Sequence, residues 1–264
     1  MTFQPLILSS GNVGWSFLIR TREAQEAAFE NSAAIQSKSN YFLENIQSVA
    51  SAAELVVDRR LLEVTLGAFG LDEDIDNRFF IEKVLVEGTR SDDAFANKLA
   101  DKRYFALSEA LSFDLEPPNT VLSTFGPEIV SRYSTRQFEK AVGNQDENLR
   151  LALGFERELN ELIDKGRSLD GAWFTIMGTP PIRAVFEAAL GLPTQIGALD
   201  IDRQLSIFKD KLLQVFGTND PNQLIQADQQ ERLVRLFLLR SDTNQANLGS
   251  SSGRVALSLL QANT

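Results

Sequence analysis

Two stretches of the chain repeat one another. Leu61 to Leu71 reads LLEVTLGAFGL, and Ile182 to Leu192, 121 residues further on, reads IRAVFEAALGL. Val64/Val185, Ala68/Ala189, Gly70/Gly191 and Leu71/Leu192 are identical, and Leu61/Ile182 and Phe69/Leu190 are conservative pairs. Gly88-Thr89 then matches Gly217-Thr218 at a displacement of 129, so the second copy carries eight extra residues between these landmarks. An internal duplication constrains the architecture before any local pattern is read. It specifies no chemistry.

Both copies are helical in period. Leu61, Leu62, Thr65, Leu66 and Phe69 recur at helical spacing, as do Ile182, Val185, Phe186, Ala189 and Leu190, and sustained strand alternation is absent. Each helix then meets Gly-Leu, the signature of a left-handed C′ residue whose apolar successor closes a Schellman turn. Thr179-Pro180 opens the second helix with proline at the favoured first position. Further helices are predicted at about Asp76 to Glu87 and Asp202 to Phe216, stopped by Gly88 and Gly217. A third helical stretch follows each stop, opened by Ser91-Asp92-Asp93 or Asp220-Pro221. Asp228 to Glu231 reads as a capping-box-like start, and Ser51 to Glu54 as a capping box ahead of the first copy. A longer pair, Glu128 to Val142 and Asp146 to Lys165 with Gly166 as its stop, lies between the copies. Trp15 to Gln36 and Tyr41 to Ala50 precede them.

The predicted fold is therefore all-α and multi-helical, with two tandem related helical units joined by a longer helix pair and no sheet. Its expected divisions are an N-terminal arm and helices (1–50), a first repeat unit (51–115), the connecting pair (116–170), a second repeat unit (171–240) and a flexible tail (241–264).

Composition narrows function mainly by exclusion. The 264 residues include neither Cys nor His. Disulfides, thiolate nucleophiles, imidazole bases and the usual zinc and haem ligand sets are thereby removed, and with them Ser-His-Asp and Cys-His catalysis. A net charge of −10 opposes nucleic acid, where binding depends on neutralising phosphates, and opposes an anionic membrane surface. No apolar run approaches the length of a membrane span, and the start lacks a secretory pattern. The location expected on these grounds is cytoplasmic.

The ends differ from the middle. Phe3 to Trp15 is apolar but interrupted by Pro, Gly and Ser, and RVALSLLQ follows the polar linker SDTNQANLGSSSG at 241–253. Apolar segments on such arms are candidate docking elements or fold back onto the core. Leu6, Ile7, Leu8, Trp15, Phe17, Val255, Leu259 and Leu260 are the candidate partner-docking residues on this ground.

Three motifs imitate chemistry. Gly249 to Gly253 matches G-x-S-x-G, but it lies in a polar linker of a histidine-free chain, so Ser251 has no base. Asp72, Asp74 and Asp76 match the first three ligand positions of a calcium-binding loop, yet Asn77 and Lys83 stand where Gly and Glu are required. The same residues suit an acidic inter-helix loop in which Asp76 caps the next helix. Trp173, Phe174, Ile176 and Met177 form an aromatic-rich turn that suits core packing. No phosphate cradle or dinucleotide fingerprint is present. No catalytic, cofactor-binding or metal-binding residue is assigned.

DRRLLEVTLGAFGL (58–71), FIEKVLVEGT (80–89), FEKAVGNQDENLRLALGFEREL (138–159), PPIRAVFEAALGLP (180–193) and LDIDRQL (199–205) carry a resemblance. They resemble an α-proteobacterial family of unknown function (domain of unknown function 1217), whose members are commonly encoded among flagellar genes. The resemblance runs from roughly Trp15 to Arg240 and supplies no catalytic or ligand residues. It implies a structural, assembly or regulatory part in flagellar biogenesis, and a location in the cytoplasm, or in the bacterial flagellum if the flagellar export system carries the protein out. The expected function is non-enzymatic protein binding, with flagellar components as partners. The alternatives are a cytoplasmic chaperone or adaptor for flagellar export, and an enzyme working through carboxylates.

Overall fold

The computed structural model describes residues 3–163 and 168–242, and every regular element among them is helical. In chain order the first seven α-helices are α1 (Gly11–Glu30), α2 (Ala33–Asn45), α3 (Ala52–Val57), α4 (Arg59–Ala68), α5 (Arg78–Glu87), α6 (Phe95–Lys98) and α7 (Arg103–Leu111). They are followed by α8 (Phe125–Gly143), α9 (Glu147–Ile163), α10 (Leu169–Met177), α11 (Pro180–Leu190), α12 (Ile201–Phe216) and α13 (227–242). The all-α class is as predicted. Residues 3–6 and 20–145 form one compact unit, and 7–19 with 146–242 form another. Of the long pair expected at 116–170, α8 belongs to the first unit and α9 to the second.

The first unit is organised around α4. Asp58 caps it, accepting from the amides of Arg60 and Leu61 at 2.9 and 3.1 Å. The spacing predicts an apolar face, but the helix is buried nearly all round: every residue from Leu61 to Ala68 except Glu63 is inside. The reason is that α2, α3 and α8 all pack on it. The α8 contact is so close that a Cβ on Gly67 would stand 2.8 Å from the Tyr133 ring. Each apolar side chain sealed in this way stabilises the fold by roughly 1.5–3 kcal/mol. The other helices of the unit depart from the predicted bounds. The first two break at Asn31-Ser32, where Ser32 is extended (φ −68°, ψ 142°) and starts α2. The stretch after Gly88 yields only the four-residue α6.

In the second unit α11 buries one face, as its spacing predicts: Ile182, Val185, Phe186, Ala189 and Leu190 are inside, against α9, α10 and α12. Trp173 and Ile176 of α10 are fully buried, and the Trp173 indole donates to the Asn219 carbonyl at 2.9 Å. The aromatic turn is core, as expected, with Phe174 alone partly exposed. After Gly217 the chain makes a short 3-10 turn, Pro221–Ile225, in place of the expected third α-helix. Helix α13 starts one residue before Asp228, so Asp228 lies in its first turn and does not cap it.

Both predicted Schellman turns form. Leu71 N–H reaches the Leu66 carbonyl (2.9 Å) and Gly70 N–H that of Gly67 (3.3 Å). Leu192 likewise reaches Glu187 (2.8 Å) and Gly191 reaches Ala188 (3.0 Å). Gly70 and Gly191 adopt φ of +69° and +67°, which a side chain would strain. Each turn also receives a distant arginine: Arg103 donates to the Gly70 carbonyl and Arg240 to that of Ala189. A cation there meets the negative end of the helix. Among the described residues no helix is long and apolar enough to cross a membrane.

Candidate functional site

The connector after each Gly-Leu turn is where the units diverge. In the first it is the 3-10 turn Asp72–Asp76, and its three aspartates point to three different partners. Asp72 accepts from Gln137 and Lys140 of α8, both at 2.8 Å. Asp74 accepts from the Tyr104 hydroxyl at 2.7 Å, and Asp76 pairs with Arg59 at 2.7 Å. They do not converge as calcium ligands would. Asp76 does not cap α5 either, because Arg59 engages it; Asn77 takes that position, its side chain donating to Asp74 and not capping the helix. No group of three or more potential metal ligands occurs among the described residues.

This connector closes one side of a pocket of about 180 Å³. Arg59, Glu63 and Leu66, spaced along one side of α4, form its wall, Asp72 and Ile75 its edge, and Lys140 of α8 its far side. Glu63 is itself paired with Lys38 of α2 at 2.5 Å. Burial would raise the Asp72 carboxyl, but the hydrogen bonds from Lys140 and Gln137 and the charge of Lys140 hold it below the usual range. Tyr133 of α8, whose ring packs on Gly67, is 1% exposed. Burial first, and then the charges of Glu63 and Asp72, push its phenol far above the ordinary tyrosine value. The phenol therefore stays protonated, a hydrogen-bond donor in the field of two carboxylates.

The second unit holds a larger groove, about 350 Å³, along one face of α13. Asp228, Glu231, Arg232, Arg235, Leu236 and Leu239 line it together with Asn12 of α1. Its charges are engaged: Arg235 pairs with Glu231 at 2.6 Å, and Arg232 donates to the Val215 carbonyl at 2.8 Å and lies over the Phe216 ring. The buried Oδ1 of Asn12 lacks a hydrogen-bond partner among the described residues.

The sequence-predicted docking residues fall as follows. Leu6 and Leu8 expose their side chains, while Ile7, Trp15 and Phe17 are half-buried. The N-terminal segment is nevertheless tied down. Gln25 exchanges hydrogen bonds with both backbone groups of Leu6 (2.6 and 3.2 Å), Gln145 donates to the Pro5 carbonyl (2.7 Å), and Phe3 packs edge-on against Phe29. Val255, Leu259 and Leu260 lie outside the described residues, as do Gly166 and the Gly249–Gly253 motif. The pocket residues Glu63 and Lys140 carried no signal in the sequence, since nothing in their spacing brings them together.

A crystal structure of a protein from Agrobacterium tumefaciens shares this fold, with a TM-score of 0.68 and 24% identity over 89% of this chain and 97% of that one. No curated protein matches the chain. A family described as a protein of unknown function (DUF1217) matches residues 68–224, which take in Asp72, Ile75 and Lys140 of the pocket but not Arg59, Glu63 and Leu66.

Proposed function

The chain belongs to the DUF1217 family, and we propose that it is a non-enzymatic protein that works by binding other proteins in flagellar assembly. The observation that carries the binding part is an exposed apolar surface on the first unit. Phe79 is 83% exposed and Val57 74%; Val57 stands two residues before Arg59 and Phe79 three residues after Asp76, the two partners of one ion pair. Val86, also exposed, stands two turns along α5 on the same face as Phe79. Large apolar side chains grouped in this way favour a protein partner over water. The flagellar part is supported by the sequence resemblance of residues 58–71, 80–89, 138–159, 180–193 and 199–205.

The test is a clean deletion strain complemented with wild type or Phe79→Asp. The deletion should impair swimming, and Phe79→Asp should express as a folded protein without restoring it. Normal flagella and normal swimming in the deletion would refute the reading. Fractionation separates its two forms: recovery with basal-body or filament material marks a structural part, and a wholly cytosolic pool marks an export adaptor.

A further inference from the structure

We propose that the apolar run Val255 to Leu260 of this same chain docks in the groove along α13. Leu239 on the groove wall is 56% exposed, and Leu236 beside it is half-buried. Asn12 of α1 completes the lining, its side-chain amide donating to the Arg235 carbonyl at 3.4 Å. The volume, about 350 Å³, falls within the roughly 300–1,000 Å³ of clefts that take ligands. Two acids and two arginines balance on its walls, so an occupant of low charge suits it. RVALSLLQ at 254–261 answers that description: Val255, Leu257, Leu259 and Leu260 are apolar, and Arg254 is the single charge between residues 243 and 264. Arg254 also has a complement in the lining, since Asp228 is in no ion pair among the described residues. Burying these side chains against Leu236 and Leu239 takes apolar surface out of water on both sides.

Chain length favours this segment over a separate partner. Twelve residues, 243–254, connect the end of α13 to Val255. A polar, Gly/Ser-rich chain of that length has a root-mean-square reach of roughly 20 Å. The groove runs back along α13 from Asp242, about 9 Å away at Leu236 and about 21 Å at Asp228 for the rise of an α-helix. A tether raises the local concentration most when its reach matches the span. It also makes a small site sufficient. Seven residues line the groove, against roughly 20–30 a side in a stable interface between separate proteins.

The chain contains no cysteine, so Gln261→Cys gives a single thiol for a nitroxide label on the full-length protein. In the ¹⁵N-labelled protein the nitroxide should broaden the amides from Asp228 to Leu239 and around Asn12, to an extent unchanged on dilution. A label held only by its tether broadens without a preferred site. Leu260→Asp in the same labelled chain measures that background and should remove the selective broadening. Leu239→Asp should remove it from the groove side; that side chain is already exposed, so the variant should fold and keep its other amide shifts. No selective broadening along α13 would leave the groove to a separate partner and overturn the proposal. Broadening centred on another face, or broadening that survives both aspartate variants, would overturn it as well. So would broadening seen only when nitroxide-labelled chain is mixed with ¹⁵N chain lacking the label, which assigns the groove to a second copy.

Discussion

Helices α4 and α11 share a sequence motif and a terminating turn, yet they hold different places in their units. Val64 and Val185, Ala68 and Ala189, and the Gly-Leu stops correspond one for one. Their other faces do not. Leu66 is fully buried while Glu187, 121 residues later, is half-exposed and paired with Arg183 at 2.7 Å. Gly67 admits the Tyr133 ring, and Ala188 stands at its counterpart on a half-exposed side of α11. One motif thus builds a helix buried nearly all round in one unit and a one-faced helix in the other, although each packs against three other helices. What the motif determines is the inner stripe and the turn; the surrounding helices determine the rest.

The connectors extend the contrast. Ile75 and Ile196 also stand 121 residues apart, but Ile196 is 1% exposed and plugs its connector into the second unit's core, whereas Ile75 is half-buried. In the first unit the connector is held by the carboxylates of Asp72, Asp74 and Asp76. The same joint is closed by charge in one unit and by an apolar side chain in the other.

Exchanging residues between the helices gives the largest effect expected. Leu66→Glu should cost about 4 kcal/mol, combining lost burial with a carboxylate placed inside. The reciprocal Glu187→Leu should change stability by less than about 1 kcal/mol, as is usual for surface substitutions. Urea unfolding followed by circular dichroism reads both, and equal costs would erase the distinction between an enclosed and a one-faced helix. Next in size, Ile196→Ala should cost about 2–4 kcal/mol and Ile75→Ala well under half of that. Similar losses at the two sites would mean that the first connector relies on its isoleucine as much as the second.

Acid should sharpen the comparison. The folded-state pKa of Asp72 is depressed, so its contribution is complete above the unfolded carboxylate value, near 4, and is lost as the pH falls through the folded one. Hydrogen exchange at pH 2–3 should show the first unit's connector opening ahead of the second's, and Asp72→Asn should remove that acid-dependent step. The smallest effect runs the other way. Asp242 packs on Gly11, and burial, followed by the charge of Asp146, raises its pKa. Its ionised form opposes the fold, and stability from this group grows as the pH falls through the raised value. Asp242→Asn should therefore raise the melting temperature slightly at pH 7; a lowered melting temperature would sink this account.

The parts of the fold legible in the sequence are those decided within a few residues. The Schellman turns need only Leu66 to Leu71 and Glu187 to Leu192, and the caps at Ser51 and Thr179 are equally local. Even so, Glu54 reaches the Ala50 amide and not that of Ser51 as a capping box requires, since helix starts tolerate a shift of one residue. The enclosure of α4 was not legible, because its neighbours come from 33–45 and 125–143 and the helix's own spacing shows only one stripe. The pocket was hidden for the same reason: Lys140 meets Asp72 across 68 residues of chain. Acidic residues at 72, 74 and 76 even suggested a different chemistry, since spacing cannot tell which way a carboxylate turns.

The second unit is drawn from both ends of the described chain. Residues 7–19 belong with 146–242, and Asn12 bonds to the Arg235 carbonyl while Gly11 meets Asp242. During synthesis the earliest residues must therefore wait for the latest before that unit can close. A gene cut between codons 145 and 146 would not deliver two autonomous pieces, because the downstream product would lack the start of α1. Adding residues 7–19 back as a separate peptide would be the natural way to complete it.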